Sequence, residues 1–197
     1  MYAPAEHDEV TGLANYVDSQ LDAIAAAATG LTEEQARETP LRSGLSIGGI
    51  AKHITAIVRT APGRIRDGAP TEEITADQIA AHEAQFVVGP EETTAGILAE
   101  LAAARGELRE AILASDPDQP THDAPAPWFG IFDARPIRQR FYLVHLIEEI
   151  ARHAGHADII REQLDGVQVP SLELRAAGVP ANEFIGDYQP APGTIGA

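Results

Sequence analysis

Apolar residues recur along most of the chain at spacings of three and four, the period of a helix with one face against a core. Over residues 8–29, Val10, Leu13, Val17, Leu21, Ile24 and Ala28 form one stripe, and Gly30 gives the expected stop. Thr32-Glu33-Glu34-Gln35 reads as a capping box opening a short helical turn that Pro40 closes. A second long helix is expected to start after Ser46 as N-cap. It carries Ile47, Ile50, Ile54, Ile57 and Val58 on one face and ends before Pro62. Residues 62–89 are polar, with a minor helix over 76–85. Pro90-Glu91-Glu92 reads as the opening of a third long helix, whose stripe is Ile97, Leu101, Ala104, Leu108 and Ala111. Five prolines make 115–136 a loop, and a fourth long helix of roughly eight turns fills 137–164, stopping at Asp165-Gly166. A Pro- and Gly-rich tail follows, with a helical option over 171–177. No strand alternation appears. The pattern predicts an all-α four-helix bundle over residues 1–166. Residues 167–197 form a C-terminal extension packed on the bundle or on a partner.

Composition narrows the function classes. Aromatics are only 5% of residues, so the core is built from Ala, Ile, Leu and Val, which suits packed helices. The net charge of −16 argues against nucleic acid and against an anionic membrane surface. No apolar run approaches the roughly 18 residues of a membrane span, and the first residues do not read as a signal peptide, so a cytoplasmic protein is expected. The chain has no cysteine, so any thiol chemistry must arrive with a substrate. Of the 14 lysines and arginines only Lys52 is a lysine, as in the products of GC-rich genomes.

The candidate chemistry lies on the last helix, in His145-Leu146-Ile147-Glu148-Glu149-Ile150-Ala151-Arg152-His153-Ala154-Gly155-His156. Residues four apart share a helix face, so His145, Glu149 and His153 line up. Polar groups on a core-facing stripe must be paired or coordinated. His53, between Ile50 and Ile57 on the second long helix, also points inward. Two facing helices can thus gather imidazoles and a carboxylate around one ion, as bundles commonly do. Two imidazoles and a carboxylate suit zinc first, with nickel, iron and manganese as alternatives.

The stretch from Gly30-Leu31-Thr32-Glu33-Glu34-Gln35-Ala36-Arg37 to Gly48-Gly49-Ile50-Ala51-Lys52-His53-Ile54 resembles the DinB/YfiT-like metalloprotein superfamily. The last helix, from His145 to Glu162, is similar to its actinobacterial, mycothiol-dependent branch of S-transferases and maleylpyruvate isomerase-like proteins. The resemblance spans residues 10–166. It implies four long helices and a divalent ion held by His53, Glu149 and His153, with His145 and His156 as neighbours. It also implies mycothiol as the thiol cosubstrate and a small-molecule electrophile as its partner. Residues expected to contact substrate are His145, Arg152, His156 and Trp128, the last as a cover over the pocket mouth. Arg138 and Arg140 are further candidates to pair with a carboxylate. The expected activity is metal-dependent thiol transfer. A thiol-dependent isomerase, a hydrolase using water at the same ion, or a non-catalytic sensor or carrier are the alternatives, and a homodimer is an open expectation.

Overall fold

The computed structural model describes residues 5–71, 75–183 and 186–196. Its elements are α1 (Glu9–Ala28), α2 (Glu33–Arg37), α3 (Ile47–Asp67), α4 (Ala76–Ala84), α5 (Thr94–Leu113), β1 (Pro120–Asp123), β2 (Arg135–Arg138), α6 (Gln139–Asp165) and α7 (Val169–Ala176). The four long helices, α1, α3, α5 and α6, enclose one aliphatic core. In it α3 lies between α5 and α6, and α1 touches all three. Val17, Leu21, Ile24, Ile50, Ile54, Leu101, Leu108, Leu146 and Ile150 are all buried there. The architecture is all-α.

Local chemistry sets the helix starts. Asp8 accepts from the Thr11 amide, and Ser46 accepts from the Gly49 amide at 3.0 Å. Thr32 and Gln35 form the reciprocal capping box. The third long helix begins later than the Pro90 motif suggested. Pro90 and Glu91 sit in a turn, and Thr93 is the N-cap of α5, accepting from the Gly96 amide. Glu92 folds back instead to accept from the Gly89 amide and from Lys52. The acid at the α5 N-terminus is Glu33 of α2, whose carboxylate accepts from the Thr94 and Ala95 amides at 2.7 and 3.0 Å. Burial alone would raise the pKa of Glu33, but these amides outweigh it and leave the carboxyl below its usual range. Glu33→Ala is therefore expected to cost about 1 kcal/mol, the worth of a helix cap, in urea unfolding at neutral pH. The folded-state pKa is the lower one, so this contribution is present above the unfolded pKa and fades as pH falls through the folded value.

Two further expectations need correction. α3 does not end before Pro62 but continues through it to Asp67. The proline removes one helical hydrogen bond, yet Ala61, Pro62 and Ile65 are buried, and their packing holds the last turns in place. The consequence is functional, because those turns carry Arg64 and Asp67 to the wall of the main cavity. The proline-rich loop contains a small antiparallel pair, β1 with β2, in the register Thr121 to Ile137. Four-residue strands containing Pro120 and Pro136 are too short to show a two-residue alternation.

Gly166 ends α6 in the left-handed conformation, with its amide donating to the Glu162 carbonyl. Beyond it α7 packs on α1, and Tyr188 and Ile195 pack against the core. The Gly30 amide donates to the Ile195 carbonyl, and the Ile195 amide to the Leu31 carbonyl.

Candidate metal centre

The structure brings His53 of α3 together with Glu149 and His153 of α6. One donor atom from each lies within 4.8 Å of the others. The Nε2 atoms of His53 and His153 stand 3.5 and 3.3 Å from the same carboxylate oxygen, Glu149 Oε1. Ligands about 2.0–2.1 Å from a tetrahedral ion are themselves about 3.3 Å apart, so these spacings suit a shared ion with little rearrangement. Both imidazoles are buried, whereas Glu149 is partly open to the cavity. Hydrogen bonds from His153 and then His53 hold the Glu149 carboxyl far below the usual carboxylate range, against burial that would raise it. Glu149 is thus ionised and ready to act as a ligand. The donor set fits a divalent ion.

The far sides of the two rings differ. His53 Nδ1 lies 3.2 Å from Gln85 Oε1, an acceptor that would keep Nδ1 protonated and free the Nε2 lone pair once an ion replaces the proton between Nε2 and Glu149. His153 Nδ1 is buried without a hydrogen-bond partner among the described residues. Phe86 stacks on His53 with centroids 4.1 Å apart and lies 5.6 Å from the His153 ring, covering one side of the group. The other side opens on a cavity of about 570 Å³ whose wall includes His82, His145, Arg64 and Tyr142. Burial pushes the Tyr142 phenol up to about 12, so it stays protonated, with the Arg64 guanidinium 4.0 Å over its ring. Arg64 is itself paired with Asp123 of β1. Burial and then the neighbouring His53 push His82 below the usual histidine range.

The remaining sequence candidates fall in several places. His145 lines the cavity but stands outside the three-donor group, half-exposed and 3.4 Å from Glu148. Arg152 points to solvent and pairs with Glu148 at 2.5 Å, away from the cavity wall. His156 meets the His153 ring edge-on at 5.5 Å, and its Nδ1 is buried without a partner among the described residues. The Trp128 side chain lies outside what the structure describes. Arg140 pairs with Glu9 and Asp118, and Arg138 donates to the Asp118 carbonyl, so both tie the start of α6 to its surroundings.

A model of the family described as mycothiol S-transferase matches residues 12–166. The chain belongs to the mycothiol S-transferase family. This places it in the DinB/YfiT-like, mycothiol-dependent branch that its motifs resemble. A solved structure of a conserved protein from Enterococcus faecalis superposes with a TM-score of 0.60 at 14% identity, over 82% of this chain and 100% of that one. At that identity the likeness speaks for the fold alone. No curated protein matches the sequence. Among the described residues no helix is long and apolar enough to cross a membrane.

His82, Gln85 and Phe86 escaped the reading of this family member's sequence, because they come from the weakly patterned stretch between α3 and α5. One signal was present: two adjacent glycines, Gly48 and Gly49, inside a helix. A Cβ at Gly49 would collide with the Phe86 carbonyl, so glycine there lets the 85–88 segment lie against α3 one turn from His53. Gln85 then stands where it can fix the ring of a candidate ligand, His53. Removing such an outer partner typically weakens metal affinity by about 10–100-fold. Gln85→Met is expected to do so in a chelator competition assay, with Gln85→Glu restoring affinity because it keeps an acceptor.

Proposed function

We propose that the protein transfers the thiol of mycothiol to an electrophilic small molecule, using a divalent ion held by His53, Glu149 and His153. The observation that carries this reading is a three-donor group opening onto a cavity, in a cysteine-free chain of this family. Three protein ligands suit a catalytic centre better than a structural one, which is normally closed by four. A divalent ion bound there, zinc first among the candidates, lowers the pKa of a coordinating thiol from its free value of about 8.5.

The chain's own residues do the rest. Glu149 brings a fixed negative charge, Gln85 holds His53 in one tautomer, and Phe86 keeps water from one side of both imidazoles. The cavity wall sorts the two substrates. Tyr142, protonated at any physiological pH, offers a hydroxyl donor, and Arg64 adds positive charge beside it. His145 extends the wall towards solvent.

The test uses the cobalt-substituted protein titrated with mycothiol. A sulfur-to-metal charge-transfer band in the near ultraviolet is expected, together with a thiol adduct, detected by mass spectrometry, when an electrophile is added. Both should vanish in His153→Ala. An unchanged spectrum with no adduct from a panel of electrophiles overturns the transferase reading. Ester or amide cleavage without thiol would replace it with a hydrolase.

A further inference from the structure

α4 packs extensively on no other element and has no buried residue. It stands as a helix because of its own capping box, in which Thr75 and Gln78 satisfy each other's amides. Among the described residues, His82 of α4 meets His53 and Phe86 in ring contacts, and the turn that follows α4 supplies Gln85 and Phe86. All three meet at His53. A helix with no core face contributes little to global stability and can move without disturbing the bundle.

The His82 ring lies against His53 at the edge of the candidate metal centre. Its centroid lies 5.3 Å from that of His53, nearly perpendicular to it, and it also meets Phe86 edge-on at 5.8 Å. The two imidazoles already in the donor group, His53 and His153, are 4.9 Å apart by the same measure. Two imidazoles bound through nitrogen to one tetrahedral ion have centroids about 5.2 Å apart, given metal–nitrogen distances of about 2.0–2.1 Å. The His82 ring centre therefore stands at the spacing of a co-ligand of His53, with its nitrogens outside the three-donor group until α4 shifts inward. His82 lines the cavity onto which the three-donor group opens, and no hydrogen bond holds its ring among the described residues.

We propose that His82 is a fourth, exchangeable ligand, closing the metal centre when no thiol is bound and giving up its position when a thiol enters. The proposal rests on the metal-centre reading above and adds to it a protected resting state. A three-ligand site left open would take up any small anion or thiol. A ligand on a loosely packed helix can hold the fourth position at low cost and be displaced by the proper cosubstrate. The exchange is a substitution: the sulfur lone pair takes the place of the imidazole nitrogen, and the thiol proton leaves to water.

X-ray absorption of the zinc-loaded protein counts the ligands directly. Without thiol, three imidazoles are expected in the native protein and two in His82→Ala. With mycothiol, the native protein should fall to two imidazoles and gain one sulfur. In chelator competition His82→Ala should bind zinc at least about 10-fold more weakly, since even outer partners of a ligand matter that much. Its affinity for mycothiol should rise by a similar factor, because no imidazole has to be displaced. Two imidazoles in the native protein without thiol would overturn the proposal and leave the three-ligand centre standing. Three imidazoles persisting beside the sulfur would overturn the exchange. Absence of stoichiometric zinc from the native protein would overturn the metal-centre reading itself. The His82 position is solvent-exposed, so the variant tests ligation and not folding.

Discussion

His53→Ala is expected to abolish stoichiometric metal binding and, with it, thiol transfer. Of the three donors His53 is the one supplied by a different helix, so its loss leaves only the Glu149–His153 pair on α6. A carboxylate and an imidazole four residues apart on one helix bind a divalent ion weakly unless a partner element completes the site. Loss of an outer partner costs about 10–100-fold, so loss of a ligand should exceed 100-fold on that scale. The fold should survive, because the substitution removes a polar ring from a position flanked by Ile50, Ile54 and Phe86, leaving the aliphatic core in place. Elemental analysis of the purified variant, with circular dichroism as the check on folding, decides the matter. Full metal retention in a folded His53→Ala protein would sink the assignment of the ligand set. Glu148→Gln serves as the control, since Glu148 is spent on Arg152 and His145 at the surface and should leave metal content unchanged.

What the sequence made legible follows from the range of each interaction. Helix caps depend on four consecutive residues, so Thr32 and Ser46 could be read directly, and so could the Gly166 stop. The juxtaposition of Glu149 with His153 is set by helix period alone. That of His53 with them follows once Ile50, Ile54 and Ile57 place its face inward. Features that depend on the path of the chain were not legible. Pro62 reads as a stop in isolation, yet α3 continues because residues on either side of it are buried by the rest of the bundle. Pro90 reads as a first helical residue, yet Glu33 of α2 and Thr93 together move the start of α5 to Thr94. Arg152 shares a helix with Glu149 and His153, but it lies at the surface paired with the Glu148 carboxylate one turn away. The contribution of residues 82–86 depends on two glycines more than thirty residues earlier, and no local pattern announces such a contact.

The second large effect is on stability and lies far from the metal centre. Arg161 is among the most deeply buried side chains, and every one of its five N–H donors is used. One terminal nitrogen donates to the carbonyls of Ala27 and Thr29 at 2.8 and 2.6 Å. The other donates to Asp165 Oδ2 and to the Tyr188 hydroxyl at 2.8 and 3.0 Å, and Nε reaches Asp165 at 2.9 Å. The carbonyls are orphan acceptors at the end of α1, so one guanidinium caps α1, pairs with the end of α6 and anchors the tail through Tyr188. Arg161→Met preserves bulk but strands a partly buried carboxylate and two carbonyls. Breaking a buried pair by removing one partner costs about 3–5 kcal/mol. Because Asp165 retains some exposure to water, about 3 kcal/mol is the expected loss, a fall in Tm of roughly 6–12 °C for a chain of this size. Tyr188→Phe, which removes one acceptor of the set, should cost about 1 kcal/mol. Metal content should stay at its native level in both variants, since none of these groups touches His53, Glu149 or His153. Calorimetry settles the prediction: an Arg161→Met protein that unfolds within a degree or two of the parent would show that the buried guanidinium is neutral to stability, its desolvation cancelling its bonds.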